Sequence, residues 1–260
     1  MSADPGEALG AFDRILAAPG RAGIFTDFDG TLAAIVDDPD RSQPLAGTVE
    51  VLDRLAGSVA RVAVISGRPV AFLERFFPDS VTVSGLYGLQ RVVGGARDDH
   101  PEAAAWAPVV DEVVAAARDR GPDGVRVEHK ELSVTLHYRE RPQLADEVEA
   151  WAAAEAVRTG LEQHSARMSV ELHPPVPADK GTALLDLADG LGAACFLGDD
   201  VGDLPAFAAL DTLAGRGVAT VKVAVCSDEQ DQRLIDAADV LVDGPEGALE
   251  LLRALADRLG

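Results

Sequence analysis

Short apolar runs in this chain are separated by segments in which apolar residues recur at helical spacing. The runs, bounded mostly by Gly, Pro, Asp or Ser, predict strands at residues 22–28, 61–66, 81–85, 194–198, 221–225 and 240–242. The helical spacing predicts helices at residues 44–57, 69–77, 181–191, 203–210, 229–237 and 246–258. This alternation predicts an α/β fold, doubly wound around a mostly parallel sheet. Ligands of such sheets bind at the carboxyl ends of the strands.

The pattern changes in the middle of the chain. Helices are predicted at 102–119 and 143–157, with strands at 125–130, 132–139 and 167–173. These strands alternate apolar and polar residues, which predicts an antiparallel sheet with one covered and one open face. We therefore expect an α+β domain, residues 87–176, inserted into a core formed by residues 1–86 and 177–260. The segments "GLYGLQRVVGG" and "HPPVPADKG" are the expected hinges.

The formal net charge of −21 over 260 residues argues against nucleic acid and anionic membranes as partners, because both attract basic surfaces. No apolar run is long enough to span a bilayer, and the amino terminus lacks the pattern of a secretory signal. Cys195 and Cys226 lie in apolar strand-like runs, which favours buried thiols and a cytoplasmic location. The sequence does not fix the oligomeric state and is compatible with a monomer.

The stretch "GIFTDFDGT" ends a buried strand in two carboxylates, Asp27 and Asp29. Positions i and i+2 of an extended chain point to the same side, so both carboxylates are expected at the carboxyl end of the sheet. One can act as a nucleophile and the other as an acid–base partner. Gly30 permits a tight turn, and Thr31 offers a hydroxyl and an amide to an anion. The alternative is an Asp-rich turn after a strand.

Further candidates occur in order along the chain, each at a predicted strand end or helix start. They are Ser66 in "VISGR", Lys180 in "ADKG", and Asp199, Asp200 and Asp203 in "FLGDDVGD". Taken singly, Ser66 could be a helix cap, Lys180 a solvated side chain and the aspartates an acidic turn. Their joint occurrence favours a common site.

These motifs resemble those of the haloacid dehalogenase-like phosphatases, and the predicted fold is the Rossmann-like core of that family. The resemblance implies that Asp27 attacks phosphorus and that Asp29 protonates the leaving oxygen and then activates water. It also implies that Lys180 and Ser66 stabilise the phosphate.

The resemblance also implies a Mg²⁺ cofactor, whose oxygen ligands would offset the repulsion between carboxylate and phosphate. The implied ligands are Asp27, the Asp29 carbonyl and Asp199, with support from Asp200 or Asp203. Phosphate and substrate contacts are further implied for Gly30, Thr31, Gly67 and Arg68.

Within that family the inserted domain is similar to the cap of the trehalose-6-phosphate phosphatases. The similarity rests on "SGR", "GLYGLQ", "VEHKELSVTLHYR", "VELHP" and "GDDVGDLPAF", and covers nearly the whole chain. The chain has Gly202-Asp203-Leu204 where many relatives have Thr-Asp-Glu, which leaves Asp203 in place. The expected substrate is the sugar phosphate trehalose 6-phosphate. Sugar-binding residues are implied at Glu128, Lys130, His137, Arg139 and Glu171.

Strand parity supports the same face without the resemblance. The polar sides of the three predicted strands carry Glu128, Lys130, His137, Arg139 and Glu171. Carboxylates and cations together suit the paired donors and acceptors of sugar hydroxyls. An ordinary solvated sheet face is the alternative.

Other functions remain open at this stage. Sucrose phosphate or a glycosyl-phosphoglycerate could replace trehalose 6-phosphate as the substrate. A phospho-Asp signalling receiver or a sugar-phosphate sensor belongs to a different class. A receiver would lack Asp29-Gly30 and the inserted domain, and a sensor would not need Asp29.

Overall fold

A computed structural model of the protein describes residues 8–36, 38–166, 168–227 and 231–260. The chain divides into two compact units: Met1–Asp98 with Ala178–Gly260, and Asp99–Pro177. None of the helices formed by the described residues has both the length and the apolar character needed to cross a membrane.

An eight-stranded sheet in the order β12-β11-β10-β1-β2-β3-β4-β5 forms the first unit. The six strands from β12 to β3 pair in parallel, whereas β4 and β5 add antiparallel to the β3 edge. The strands are β1 (Ala22–Thr26), β2 (Arg61–Ile65), β3 (Thr82–Gly85), β4 (Gln90–Val93), β5 (Ala96–Arg97), β10 (Ala193–Gly198), β11 (Ala219–Cys226) and β12 (Val240–Asp243).

Helices cover both faces of this sheet, which is the doubly wound α/β arrangement expected from the sequence. They are α1 (Asp13–Ala17), α2 (Thr48–Ala56), α3 (Val70–Leu73), α6 (Lys180–Leu187), α7 (Leu204–Gly215), α8 (Gln232–Ala237) and α9 (Gly244–Leu259). Short 3₁₀ turns lie at Leu9–Phe12, Pro19–Arg21, Pro39–Arg41, Leu86–Gly88 and Val201–Asp203. Alternate strand residues bury on opposite faces: Ile24 packs with Leu52 and Leu252, and Phe25 packs with Leu184 and Phe207.

The hairpin formed by β4 and β5 was missed by the sequence analysis, which treated this segment as a hinge. Gly94 and Gly95 connect the strands with φ angles of 56° and 75°, the left-handed conformation that a two-residue hairpin requires. Since this hairpin pairs with the main sheet, the second unit begins at Asp99 and not at residue 87.

The second unit is an antiparallel sheet in the order β6-β7-β9-β8 with two long helices. Its elements are α4 (Ala103–Arg120), β6 (Arg126–His129), β7 (Val134–His137), a 3₁₀ turn at Pro142–Leu144, α5 (Ala145–Thr159), β8 (Glu162–Ala166) and β9 (Ser169–His173). Val134, Leu136 and Leu172 pack with Val113 and Val148 in its core.

The predicted elements of this unit differ from the observed ones at two places. Strand β8 was not predicted, because "EQHSA" has no apolar face and therefore no period-two signal. Lys130 and Arg139 were placed on strands but lie just beyond the ends of β6 and β7. The turn between these strands carries Glu131 at a φ of 65°.

Candidate active site

Asp27 follows the last residue of β1 at the carboxyl edge of the parallel sheet. All five residues of β1 are buried, and the Asp27 amide donates to the carbonyl of Leu197 on the neighbouring strand β10 at 2.8 Å. Strand β10 ends one residue before Asp199. Pairing of the two strands therefore brings two carboxylates together that are far apart in the sequence.

Lys180 contacts Asp27 directly and also contacts a third carboxylate, Asp203. Its ammonium nitrogen lies 2.8 Å from Asp27 Oδ1 and 2.6 Å from Asp203 Oδ1. The second oxygen of Asp203 accepts from the amides of Asp199 and Asp200 at 2.9 and 3.2 Å. Asp203 has no exposed surface and Lys180 is 5% exposed, so this is a buried network.

Burial dominates the electrostatics of the cluster. It raises the pKa of Asp27 well above its ordinary value; Asp203 and Asp199 add to this effect and Lys180 opposes it. Burial, Asp203 and Asp200 raise the pKa of Asp199 to about 7. Burial also raises the pKa of Asp203, although the positive charge of Lys180 acts to lower it. Burial alone would lower the pKa of Lys180, but Asp203, Asp27 and Asp200 raise it well above its ordinary value.

These charges leave a deficit of positive charge that fits a divalent cation. Asp27, Asp199 and Asp203 each offer a carboxylate oxygen, and the three oxygens lie within 4.8 Å of one another. Carboxylate oxygens are the ligands that hard divalent cations prefer. Asp200 differs from them, because its side chain is exposed and accepts from the Gly202 amide at 2.8 Å, capping the turn at Val201–Asp203.

Gly30 and Thr31 contact Asp199 from the loop after β1. Gly30 has a φ of 78°, and a Cβ atom there would lie 2.0 Å from Asp199 Oδ2. Thr31 is fully buried, and its hydroxyl donates to Asp199 Oδ1 at 3.4 Å. The glycine in "DFDGT" is therefore required both by backbone conformation and by space.

Ser66 follows the last residue of β2, at the same edge of the sheet. Its amide donates to the Ser84 carbonyl at 2.9 Å, and its hydroxyl oxygen accepts from the Arg68 amide at 3.2 Å. No described residue accepts the Ser66 hydroxyl proton, so this proton can be donated to an anion. A Cβ atom on Gly67 would lie 2.7 Å from the ring of Tyr87, so this turn is tightly packed.

The Asp29 side chain points to a different set of partners. Arg68 donates from Nε to Oδ2 at 2.7 Å and from Nη2 to Oδ1 at 2.8 Å. Ser42 donates from its hydroxyl to Oδ1 at 2.8 Å. Ser42 was not predicted as a site residue, because it lies in a loop segment, "DRSQP", that carries no motif or periodicity.

In the second unit, the predicted sugar-binding residues form two groups on the polar face of the sheet. His137 Nε2 lies 2.7 Å from Glu128 Oε2. Glu171 accepts from the Ser133 hydroxyl at 2.6 Å, and Lys130 Nζ lies 3.6 Å from the same carboxylate. These four charged or titratable side chains are half-buried, between 13% and 22% exposed.

Arg139 differs, because it is exposed and lies beyond the end of β7. The structure does not bring it into either of these groups.

The family model described as trehalose-phosphatase matches residues 25–239. The chain is 35% identical to the trehalose-phosphate phosphatases of Mycobacterium ulcerans (strain Agy99) and Mycobacterium tuberculosis (strain ATCC 25177 / H37Ra). Each of these alignments covers 97% of this chain and 65% of the relative, so the chain spans slightly less than two thirds of their length.

Two solved structures show the same fold. A trehalose-6-phosphate phosphatase related protein superposes with a TM-score of 0.74 at 24% identity, covering 90% of this chain and 97% of its own. The C-terminal domain of the Candida albicans trehalose-6-phosphate phosphatase gives a TM-score of 0.73 at 23% identity, covering 98% and 97%.

Proposed function

The chain belongs to the trehalose-phosphatase family, and from that premise we propose that it hydrolyses trehalose 6-phosphate to trehalose and inorganic phosphate. The observation that carries the proposal is the buried cluster of Lys180 with Asp27, Asp199 and Asp203 at the carboxyl edge of the sheet. A cluster of this kind is suited to holding a phosphate beside a nucleophilic carboxylate.

In the proposed reaction, an oxygen of Asp27 bonds to phosphorus while the bond from phosphorus to the sugar oxygen breaks. Asp29 gives its proton to that oxygen, so that trehalose leaves as an alcohol. Water then attacks the aspartyl phosphate and Asp29 takes a proton from it. Phosphate leaves and the Asp27 carboxylate is restored.

Charge stabilisation comes from residues around the phosphate. Lys180 would neutralise part of the charge on Asp27 and the phosphoryl oxygens, and Ser66 would donate its free hydroxyl proton to one of them. We propose that the turn residues Gly30, Thr31 and Gly67 shape the pocket for the phosphate. The tight packing at Gly30 and Gly67 is consistent with this role.

We propose Mg²⁺ as the cofactor, held by carboxylate oxygens of Asp27 and Asp199 with the Asp29 carbonyl, and supported by Asp203. A divalent cation there would supply Lewis-acid polarisation of the phosphoryl group. Asp200 is a less suitable ligand than Asp203, because its carboxylate caps the adjacent turn.

We propose that the polar face of the second unit, Asp99–Pro177, selects the sugar. Glu128 with His137, and Glu171 with Lys130, offer paired acceptors and donors of the kind that sugar hydroxyls bind. A sugar-binding role for Arg139 is proposed only on the basis of the family resemblance.

The test is phosphate release from trehalose 6-phosphate, sucrose 6-phosphate, a glycosyl-phosphoglycerate and glucose 6-phosphate, with Mg²⁺ and with a chelator. We expect the highest kcat/KM for trehalose 6-phosphate and loss of activity on chelation. Equal rates with glucose 6-phosphate would refute the substrate assignment. A stable aspartyl phosphate without turnover would instead favour a signalling receiver, and binding without turnover a sensor.

The wider setting is proposed on sequence grounds. The chain is expected to act in the cytoplasm on a small molecule, without nucleic acid or membrane partners, and a monomer suffices for the proposed chemistry. Cys195 and Cys226 are both free thiols, which fits a reducing compartment.

A further inference from the structure

The carboxylate of Asp29 is held by three hydrogen bonds from two other segments of the chain. Oδ1 accepts from Ser42 Oγ and Arg68 Nη2, both at 2.8 Å, and Oδ2 accepts from Arg68 Nε at 2.7 Å. A carboxylate has about four lone-pair positions. The three hydrogen bonds occupy two lone-pair positions on Oδ1 and one on Oδ2. The fourth lone-pair position, on Oδ2, accepts no hydrogen bond from the described residues.

Arg68 is itself fixed independently of Asp29. Its guanidinium carbon lies 4.5 Å from the ring centre of Phe72, and its side chain is only 12% exposed. Its amide donates to Ser66 Oγ at 3.2 Å and its carbonyl accepts from the Leu86 amide at 3.0 Å. The fork that meets Asp29 is therefore presented by a rigid turn and an aromatic surface.

Asp29 needs such restraint because of where it lies. It is three residues beyond the end of β1, and its side chain is 37% exposed. An exposed aspartate can turn between rotamers. A general acid or base, however, must lie within about 2.6–3.2 Å of the atom that exchanges the proton. Two parallel bonds from a planar guanidinium fix both the direction and the plane of the carboxylate.

We propose that Arg68, together with Ser42, is the positioning residue for Asp29, and that it directs proton exchange to Oδ2. Arg68 then acts through Asp29 and does not contact the substrate, in contrast to the substrate-binding role implied by the family resemblance. This inference rests on the proposed function, since it takes the proton transfer by Asp29 as given.

The two half-reactions make the inference measurable. Cleavage of trehalose 6-phosphate requires Asp29 to donate a proton to an alkoxide oxygen. Cleavage of 4-nitrophenyl phosphate releases a stable phenolate that needs no proton. Hydrolysis of the aspartyl phosphate requires Asp29 to accept a proton from water with either substrate. Misplacing Asp29 should therefore slow both steps with the sugar but only the second with the aryl phosphate.

The experiment compares Arg68→Ala, Arg68→Lys and Ser42→Ala with the unmodified enzyme. For Arg68→Ala we expect kcat on trehalose 6-phosphate to fall by about 100-fold or more, the usual contribution of general acid–base catalysis. KM should stay within about threefold, because uniform binding is unchanged. With 4-nitrophenyl phosphate, rapid mixing should show a burst of nitrophenolate followed by slow turnover.

The sizes of the kcat losses should distinguish positioning of Asp29 from a simple effect of the Arg68 charge. Arg68→Lys keeps the charge but cannot form the fork, so it should recover only part of kcat. Ser42→Ala should show a smaller loss than Arg68→Ala, since one of the three bonds is removed. Millimolar guanidinium ion should partly restore Arg68→Ala, which damage to the fold would not allow.

Arg75→Ala is the matched control. Arg75 also lies over the Phe72 ring, at 5.1 Å, but makes no carboxylate contact among the residues that the structure describes. Its removal should leave kcat unchanged. An Arg75→Ala loss equal to that of Arg68→Ala would mean that the aromatic packing, and not the fork, is responsible.

The decisive variant combines Arg68→Ala with Asp29→Asn. If Arg68 acts only through Asp29, the double variant is no slower than Asp29→Asn alone. Multiplied losses, or a raised KM with kcat retained, would overturn the inference and return Arg68 to substrate binding. If the unmodified enzyme does not prefer trehalose 6-phosphate, the proposed function fails, yet the burst with 4-nitrophenyl phosphate still tests Arg68.

Discussion

Replacing Lys180 by Met should destabilise the metal-free protein far more than an ordinary surface charge deletion does. The Lys180 ammonium lies between two buried carboxylates. Its nitrogen is 2.8 Å from Asp27 Oδ1 and 2.6 Å from Asp203 Oδ1. Removing one partner of a buried ion pair costs about 3–5 kcal/mol, because the remaining charge is left without compensation. We expect a loss of that size near pH 8.

The loss should shrink as the pH falls. Burial raises the pKa of Asp27 and of Asp203 above the ordinary carboxyl range, and Lys180 opposes both shifts. In Lys180→Met that opposition is gone, so the folded-state pKa values rise further above the unfolded ones. The folded variant then binds more protons than the unfolded chain, and its free energy of unfolding declines as pH rises from about 4. At pH 5 protonation should relieve much of the repulsion.

Urea denaturation in the presence of a chelator, at pH 5, 6.5 and 8, measures both effects. Lys222→Met is the control, because Lys222 pairs at 2.8 Å with Asp211, whose side chain is 64% exposed. Because the Asp211 carboxylate remains in contact with water, we expect this pair to contribute only about 0–1 kcal/mol, although the Lys222 side chain is 15% exposed. If Lys180→Met and Lys222→Met lose similar amounts at pH 8, or the Lys180→Met loss does not depend on pH, the buried-cluster reasoning is wrong.

Other consequences of the site can be tested in the same preparations. Asp27→Asn should abolish turnover while leaving the urea midpoint unchanged or higher, because a neutral amide replaces a buried charge; measurable phosphate release would remove Asp27 as the nucleophile. Mg²⁺ should raise the melting temperature of the unmodified protein, by the linkage between binding and folding; an equal rise in Asp199→Asn would place the ion elsewhere. Gly30→Ala should destabilise the fold by about 1–3 kcal/mol or more, since it combines a left-handed backbone with a clash against Asp199; a normal urea midpoint would contradict this. Glu171→Ala should lower kcat/KM for trehalose 6-phosphate at least tenfold more than for 4-nitrophenyl phosphate; equal losses would contradict a role in sugar selection.

The sequence pattern was enough to predict which site residues lie at the carboxyl edge of the sheet. Asp27, Ser66 and Asp199 each end a buried apolar run, and parallel strands necessarily bring such ends together. Lys180 was assigned through the family resemblance, ahead of a helix predicted at residues 181–191, and the structure makes it the first residue of that helix. Periodicity thus sufficed where a residue directly follows a buried strand of the parallel sheet.

The partners of Asp29 could not be obtained in this way. Ser42 and Arg68 reach it from a loop and a turn, and loop geometry leaves no periodic trace in a sequence. The edge strands β5 and β8 were missed for a related reason. Their residues are mostly polar or exposed, so hydrophobic patterning gives them no distinguishing signal.

Asp203 shows how the buried site combines stability with chemistry. The sequence offered Asp200 and Asp203 as equivalent candidates, yet one caps an exposed turn while the other is fully buried against Lys180. Three ionised aspartates and one lysine carry a net charge of −2 in a buried space, which burial opposes by raising the carboxyl pKa values. A divalent cation would cancel that charge. Because the ionised state of Asp27 is required for attack, the same electrostatic balance should set metal affinity, nucleophile ionisation and the stability of this edge of the sheet.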